Sequence, residues 1–428
     1  MDHLPDDGTS DPAEKSDSQD HDRPVDASHS DSDPVEPNGP SGTTLLGENT
    51  SDAEWLRDGD FVDKGPNQPI EFPPRPYAER RLPGPGLPEA FLWVVGVLVV
   101  HWFGGAIAAV VVMIAEGVRA GTDDPQQVLH TMRDAMQANL VPLMGGEMGI
   151  FVLCAVLACG LRLRPRVAAR LGLHPLPMRH LLGLILLLPP LSFTCGQLYS
   201  WAMPLWEKIV DIAPQLKAFD VLNSTEMIKH VAAQASFPMM LFLVALLPAV
   251  GEELVFRGVI GRGLVARWGM VRGVLLTSLF FAAVHLHPVH ALALLPLAVC
   301  LHLVYLATRS FWAPVVLHLL NNAWATVVLK SPRLETLPGA EVHQTIPPLL
   351  FAVAAVSALI TATVIWRSRV RYVLPDGTFW TPGYDTVEVA PAHLHAVTEC
   401  RRVEPSLLIA AVLGVAAFAG VLVQTIVS

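Results

Sequence analysis

The stretch Pro248-Ala249-Val250-Gly251-Glu252-Glu253-Leu254-Val255-Phe256-Arg257 closes an apolar run that begins near Pro238. Charge inside a membrane-crossing run is costly, so ionisable residues kept there mark function. On a helix, Glu253 and Arg257 lie four apart on one face, with the acid on the N-terminal side, the favourable order for a pair. Glu252 is turned about 100° away from Glu253. One carboxylate is then neutralised by Arg257 while the other faces a cavity that the rest of the chain must build.

The surrounding sequence supplies a bundle in which to build it. Of 428 residues, 52% are hydrophobic, and they are gathered in long runs. That is too apolar for an average soluble protein of this length. Nine apolar segments lie near 89–115, 141–161, 180–203, 238–257, 272–287, 290–308, 312–329, 346–366 and 405–427. Most approach the ~20 residues that span hydrocarbon. The fifth is short, and 272–308 also reads as one span plus a re-entrant piece. The expected fold is therefore all-α, a polytopic transmembrane helical bundle of about 8–9 spans. Pro189-Pro190 and Pro248 predict kinks, tolerable where neighbouring groups satisfy the freed carbonyls.

Arginines mark alternate loops. Arg75, Arg80 and Arg81 precede the first segment, and Arg162, Arg164, Arg166, Arg170 and Arg179 follow the second. Arg262, Arg267 and Arg272 follow the fourth, Arg309 the sixth, and Arg367, Arg369 and Arg371 the eighth. By the positive-inside rule this predicts a multi-pass protein of the plasma or inner membrane, with a cytoplasmic N-terminus and an external C-terminus.

Residues 1–74 hold 19 acids against 4 bases, so the chain's net charge of −10 leaves about +5 for the remainder. This tail is rich in Asp, Ser, Pro and Gly, cannot bury enough apolar surface to offset its ordering entropy, and is expected to be a disordered acidic tail. The charge balance argues against a nucleic-acid partner. A basic, Pro-rich juxtamembrane segment follows at 75–88, then accessory transmembrane helices with an amphipathic loop at 89–237. A core at 238–330 and C-terminal helices at 331–428 complete the chain. Within the last part, the 370–400 loop carries an Asp376-Gly377 turn and is expected to form a small cytoplasmic hairpin. Leu205, Ile209, Ile212 and Leu216 give the 204–237 loop an apolar side suited to the membrane surface. The five cysteines, Cys154, Cys159, Cys195, Cys300 and Cys400, are odd in number and lack zinc-type spacing, as expected of unpaired thiols.

Downstream of the glutamates, polar residues recur at helical spacing in apolar runs. Phe281 and His285 are four apart, as are His318 and Asn322. Each polar group is costly in hydrocarbon unless partnered, so Glu252, Glu253, His285, His318 and Asn322 are expected to face one another. These groups suit hydrolysis. A desolvated carboxylate can take a proton from water. A histidine can orient that water or protonate a leaving amine, and a second histidine with an asparagine amide offers donors to an oxyanion. Glu252, His285 and His318 are alternatively a candidate metal set with an open position for water. His101, Glu147 and His302 are intramembrane polar residues without a motif partner. His287 and His290 are expected in an interfacial loop.

The order E-E-x-x-x-R, F-x-x-x-H, H-x-x-x-N resembles the CPBP family, the type II CAAX prenyl proteases and their bacteriocin-processing and immunity relatives. Glu252/Glu253/Arg257, Phe281/His285 and His318/Asn322 match its three motifs, and Arg309-Ser310-Phe311-Trp312-Ala313-Pro314 is similar to the usual approach to the third. The resemblance covers about 238–330. It implies an intramembrane endopeptidase with Glu252 activating water, His285 assisting, and His318 and Asn322 stabilising the oxyanion. Glu253, Arg257 and Phe281 are supporting. The cofactor is zinc on a metalloprotease reading and none on a glutamate reading. The implied partners are the lipid bilayer and a peptide or membrane-protein substrate, lipidated or membrane-associated. The alternatives are a non-catalytic membrane scaffold or immunity protein that keeps the fold, and a proton-relay transporter. A transporter would show broken helices in two repeated halves, and no repeat is present.

Overall fold

The computed structural model describes residues 84–121, 124–222, 224–331, 347–380 and 387–427. The expected disordered tail at 1–74 and most of the basic segment at 75–88 lie outside them. The helices are α1 (Leu87–Ala120), α2 (Pro125–Ala138), α3 (Leu140–Arg162), α4 (Val167–Leu171), α5 (Met178–Ile212) and α6 (Ser224–Gln234). They continue with α7 (Phe237–Ala283), α8 (Pro288–Thr308), α9 (Trp312–Lys330), α10 (Pro348–Arg367) and α11 (Pro405–Val427). Eight runs among the described residues are long and apolar enough to cross a membrane: α1, α3, α5 and α7 through α11. The architecture is thus the all-α, multi-pass membrane bundle that the apolar runs imply. Outward side chains such as Trp102, Phe103 and Leu413 are exposed, the face that a bilayer would cover.

Eight runs and nine segments are reconciled within α7. Its 47 residues would extend about 70 Å as a straight helix, more than twice the hydrocarbon thickness. Gly269 breaks it at φ 74° and ψ 173°, a conformation open to glycine because it has no Cβ. The chain then doubles back: the Phe256 and Phe281 rings stand 5.2 Å apart, where a straight helix would separate them by about 37 Å. The stretch 258–271, expected as a loop, is helical up to that break. α7 is therefore a helical hairpin, and its legs are the expected fourth and fifth segments.

The arginine-bearing loops meet at one end of the bundle. Arg162 donates to Glu89 at 2.8 Å, and Arg267 donates to the carbonyls of Gly84 and Pro85 at 3.1 and 3.0 Å. Arg262 donates to the Arg170 carbonyl and pairs with Glu388. Arg309 donates to the Val370 carbonyl, and the Phe311 amide to the Gly172 carbonyl. The small sheet lies there too. Strand β1 (Val370–Val373) pairs antiparallel with β2 (Val397–Cys400), in the register Val370 to Cys400. The Asp376-Gly377 turn forms with Gly377 at φ 83°, and Val373 bridges Phe379. The main partner of β1 is nevertheless β2, more than twenty residues on, rather than the other arm of that turn.

At the opposite end, much of the expected 204–237 loop is helical, because α5 runs on to Ile212 through Pro204. His287 is fully buried there, beneath Trp206 with ring centroids 5.6 Å apart. It lies in the expected loop, but covered by protein rather than exposed. None of the five cysteines is paired. The main core gathers where α7 packs against α3, α8 and α9, and α8 and α9 pack against α5, with Ile260, Leu297, Leu301 and Leu317 all but inaccessible.

Candidate active site

The Glu252–Glu253 pair stands on the first leg of α7, between two stretches of wide π-type turns at Leu241–Leu246 and Leu254–Gly261. Such turns often mark functional sites, because an extra residue re-aims the side chains around it. Periodicity in the sequence carries no sign of them.

Glu253 is fully buried and is the hub. Its Oε1 accepts from Arg257 at 2.9 Å and lies 2.9 Å from Nδ1 of His318 on α9. Arg257, also fully buried, donates a second bond to the Ala298 carbonyl on α8 at 3.0 Å. Its guanidinium lies 4.6 Å from the centre of the Phe281 ring, a cation–π contact. The expected pair is therefore present and ties three helices together.

Glu252 differs from its neighbour. Oε2 of each glutamate is buried without a hydrogen-bond partner, a costly state for a carboxylate oxygen unless water or a ligand meets it. Glu253, however, is held through Oε1, whereas no hydrogen bond holds the Glu252 side chain among the described residues. The division between a paired carboxylate and an unpaired one is the one expected from the 100° offset.

Phe281 packs at the centre of the aromatic contacts. Its ring lies 5.4 Å from His285 and 5.7 Å from His318. His285 sits in the turn just after α7, with Nδ1 3.0 Å from the Phe281 carbonyl. With Nδ1 so held, Nε2 is its available nitrogen. The same holds for His318, whose Nδ1 faces Glu253. Asn322 lies one turn beyond His318 and donates from Nδ2 to the Val244 carbonyl at 3.2 Å. Pro248 explains why that carbonyl is open, since proline lacks the N–H that an α-helix would direct to it. One of the two amide hydrogens of Asn322 remains.

Two residues were missed in the sequence. Ser192 donates to Asn321 at 2.8 Å, and Asn321 donates to the Asn322 carbonyl oxygen at 3.3 Å, which fixes the orientation of that amide. Asn321 had a signal, being polar and adjacent to a motif residue; Ser192 had only the neighbouring Pro189-Pro190. His302 is buried on α8. His101 and Glu147 are not isolated, and bond to each other at 3.0 Å.

Of the expected metal-ligand candidates Glu252, His285 and His318, the last has one nitrogen engaged by Glu253. Among the described residues no group of three or more His, Cys, Asp or Glu side chains is placed to hold a metal ion.

Residues 234–324 match the family model described as Type II CAAX prenyl endopeptidase Rce1-like, a protease family. That span contains all seven motif residues and agrees with the CPBP resemblance. No curated protein and no solved structure matches the chain.

Proposed function

We propose that this chain is an intramembrane endopeptidase that hydrolyses a peptide bond in a lipidated or membrane-associated substrate, with Glu252 as the base. The observation that carries the reading is the contrast between neighbours: Glu253 is engaged through Oε1 by Arg257 and His318, while the Glu252 side chain, its Oε2 buried, makes no hydrogen bond among the described residues. The match at 234–324 supplies the peptidase class and directs the search toward prenylated C-terminal peptides.

In this reading Glu252 removes a proton from a water, and the hydroxide formed attacks the scissile carbonyl carbon. The free amide hydrogen of Asn322 and, in its imidazolium form, Nε2–H of His318 donate to the oxygen that becomes negative. Glu252 then returns the proton to the leaving nitrogen as the C–N bond breaks, and His285 assists through Nε2. Glu253 and Arg257 do not react; they fix His318 and neutralise each other. No step passes through a metal.

The arginine-bearing end is assigned to the cytoplasm. With α7 counted as two legs, the N- and C-termini then lie on opposite sides of the membrane.

The test uses a quenched-fluorescent peptide bearing an S-farnesyl cysteine four residues from its C-terminus, beside an unlipidated copy. Purified protein in vesicles should cleave the lipidated form preferentially, with and without a chelator. Cleavage that stops on chelation and returns with zinc would replace the glutamate mechanism with a metal-dependent one. A purified, folded protein that cleaves neither peptide would favour the scaffold reading.

A further inference from the structure

The matched domain does not explain the polar pair on α1 and α3. His101 and Glu147 lie inside two apolar helices, outside residues 234–324, and join through Nδ1 and Oε1 at 3.0 Å. A histidine and a carboxylate kept at such positions need a reason. Helix pairing alone would be served by a smaller polar contact.

Three observations connect the pair to the site. His101 stacks on Phe151 with ring centroids 4.2 Å apart and planes inclined by 29°. Phe151 is buried against Gly251, so closely that a Cβ there would fall 2.6 Å from the ring. Gly251 immediately precedes Glu252. His101 is also near enough to interact electrostatically with both Glu252 and His285. The pair repeats the His318–Glu253 arrangement, in which a carboxylate on Nδ1 fixes the ring and leaves Nε2 available.

We propose that His101, oriented by Glu147, is a positioning residue of the active site, through which the accessory helices α1 and α3 set the place of Glu252 by way of the Phe151–Gly251 contact. The site is then complete only when those helices pack on the matched domain. Gly251 is what allows their approach: any larger residue would push Phe151, and His101 with it, away from Glu252.

This inference rests on the endopeptidase reading, and the experiment separates the two. Wild type, His101→Ala, Glu147→Ala, the double variant and Glu252→Ala are assayed on the farnesylated peptide, with thermal melting of each. Loss of a partner that orients a site group through a histidine lowers function about 10–100-fold. The expected result is a fall of that size in kcat for each single variant, a KM within about twofold of wild type, and a double variant no worse than the worse single. The isosteric His101→Gln and Glu147→Gln, which keep packing and some hydrogen bonding, should also lose kcat while melting near wild type. Full kcat in both Gln variants would overturn the proposal and make the pair structural, as would losses in the Ala variants that only track melting. Cleavage retained by Glu252→Ala would instead overturn the assignment of Glu252 as base, on which the proposal rests, and no cleavage by wild type would overturn the endopeptidase reading itself.

Discussion

The His318–Glu253 pair and the His101–Glu147 pair have nearly the same geometry, with Nδ1 to Oε1 distances of 2.9 and 3.0 Å. Their surroundings differ. In the matched core the two side chains are 5% and 0% exposed; between the accessory helices they are 23% and 31% exposed. In the core a third group, Arg257, completes the pair and is itself fully buried. A buried ion pair contributes little net stability, but removing one partner is costly, because the charge left behind has no solvent. The core arrangement is thus intolerant of any change. The accessory one can lose a member without unfolding the chain, and a role in turnover can be read there without loss of folding.

That contrast can be broken by substitution. The largest effect is expected from Arg257→Ala, which strands Glu253 and His318: about 3–5 kcal/mol of stability is lost, seen as failure to recover folded protein or a collapsed melting transition. A wild-type melt would mean that the burial of this triad is not energetically coupled.

Next comes Asn322→Ala. It removes one of the two oxyanion donors and should lower kcat about 10²–10³-fold, while the loss of one bond to Val244 costs only about 1 kcal/mol in unfolding measurements. An equal fall in stability and rate would make Asn322 helix–helix glue instead. Glu253→Gln keeps the shape but not the charge and should cost about 1–3 kcal/mol, with a partial loss of cleavage through a loosened His318. Full activity and stability in that variant would show the hub to be decorative. The smallest effect belongs to Glu89→Gln, which breaks the half-exposed pair with Arg162 at the arginine-bearing end. A change of less than about 1 kcal/mol is expected there, and a larger one would show that this end is more buried in the membrane assembly than its exposure implies.

Much of this was legible in the sequence because intramembrane polarity is rare. The i,i+4 spacing of Glu253 and Arg257 implied their pairing, and the offset of Glu252 implied that it stands outside that pair. The arginine alternation implied which loops share an end. What spacing does not encode was lost. His318 reaches Glu253 from 65 residues away, a contact that only tertiary packing creates. The reversal between the fourth and fifth segments was expected; what was hidden is that 258–271 stays helical up to Gly269, because a glycine among arginines reads as part of a loop. The burial of His287 beneath Trp206 was hidden because it too comes from tertiary packing.

The proposed mechanism depends on Glu252 as the base. The most direct measurement is cleavage of the farnesylated peptide by Glu252→Ala beside wild type, with both melts recorded in the same detergent. The prediction is a loss of at least about 10²–10⁴-fold in kcat, the range for a positioned general base, with the melting transition unchanged. Cleavage at the wild-type rate by folded Glu252→Ala protein would contradict it.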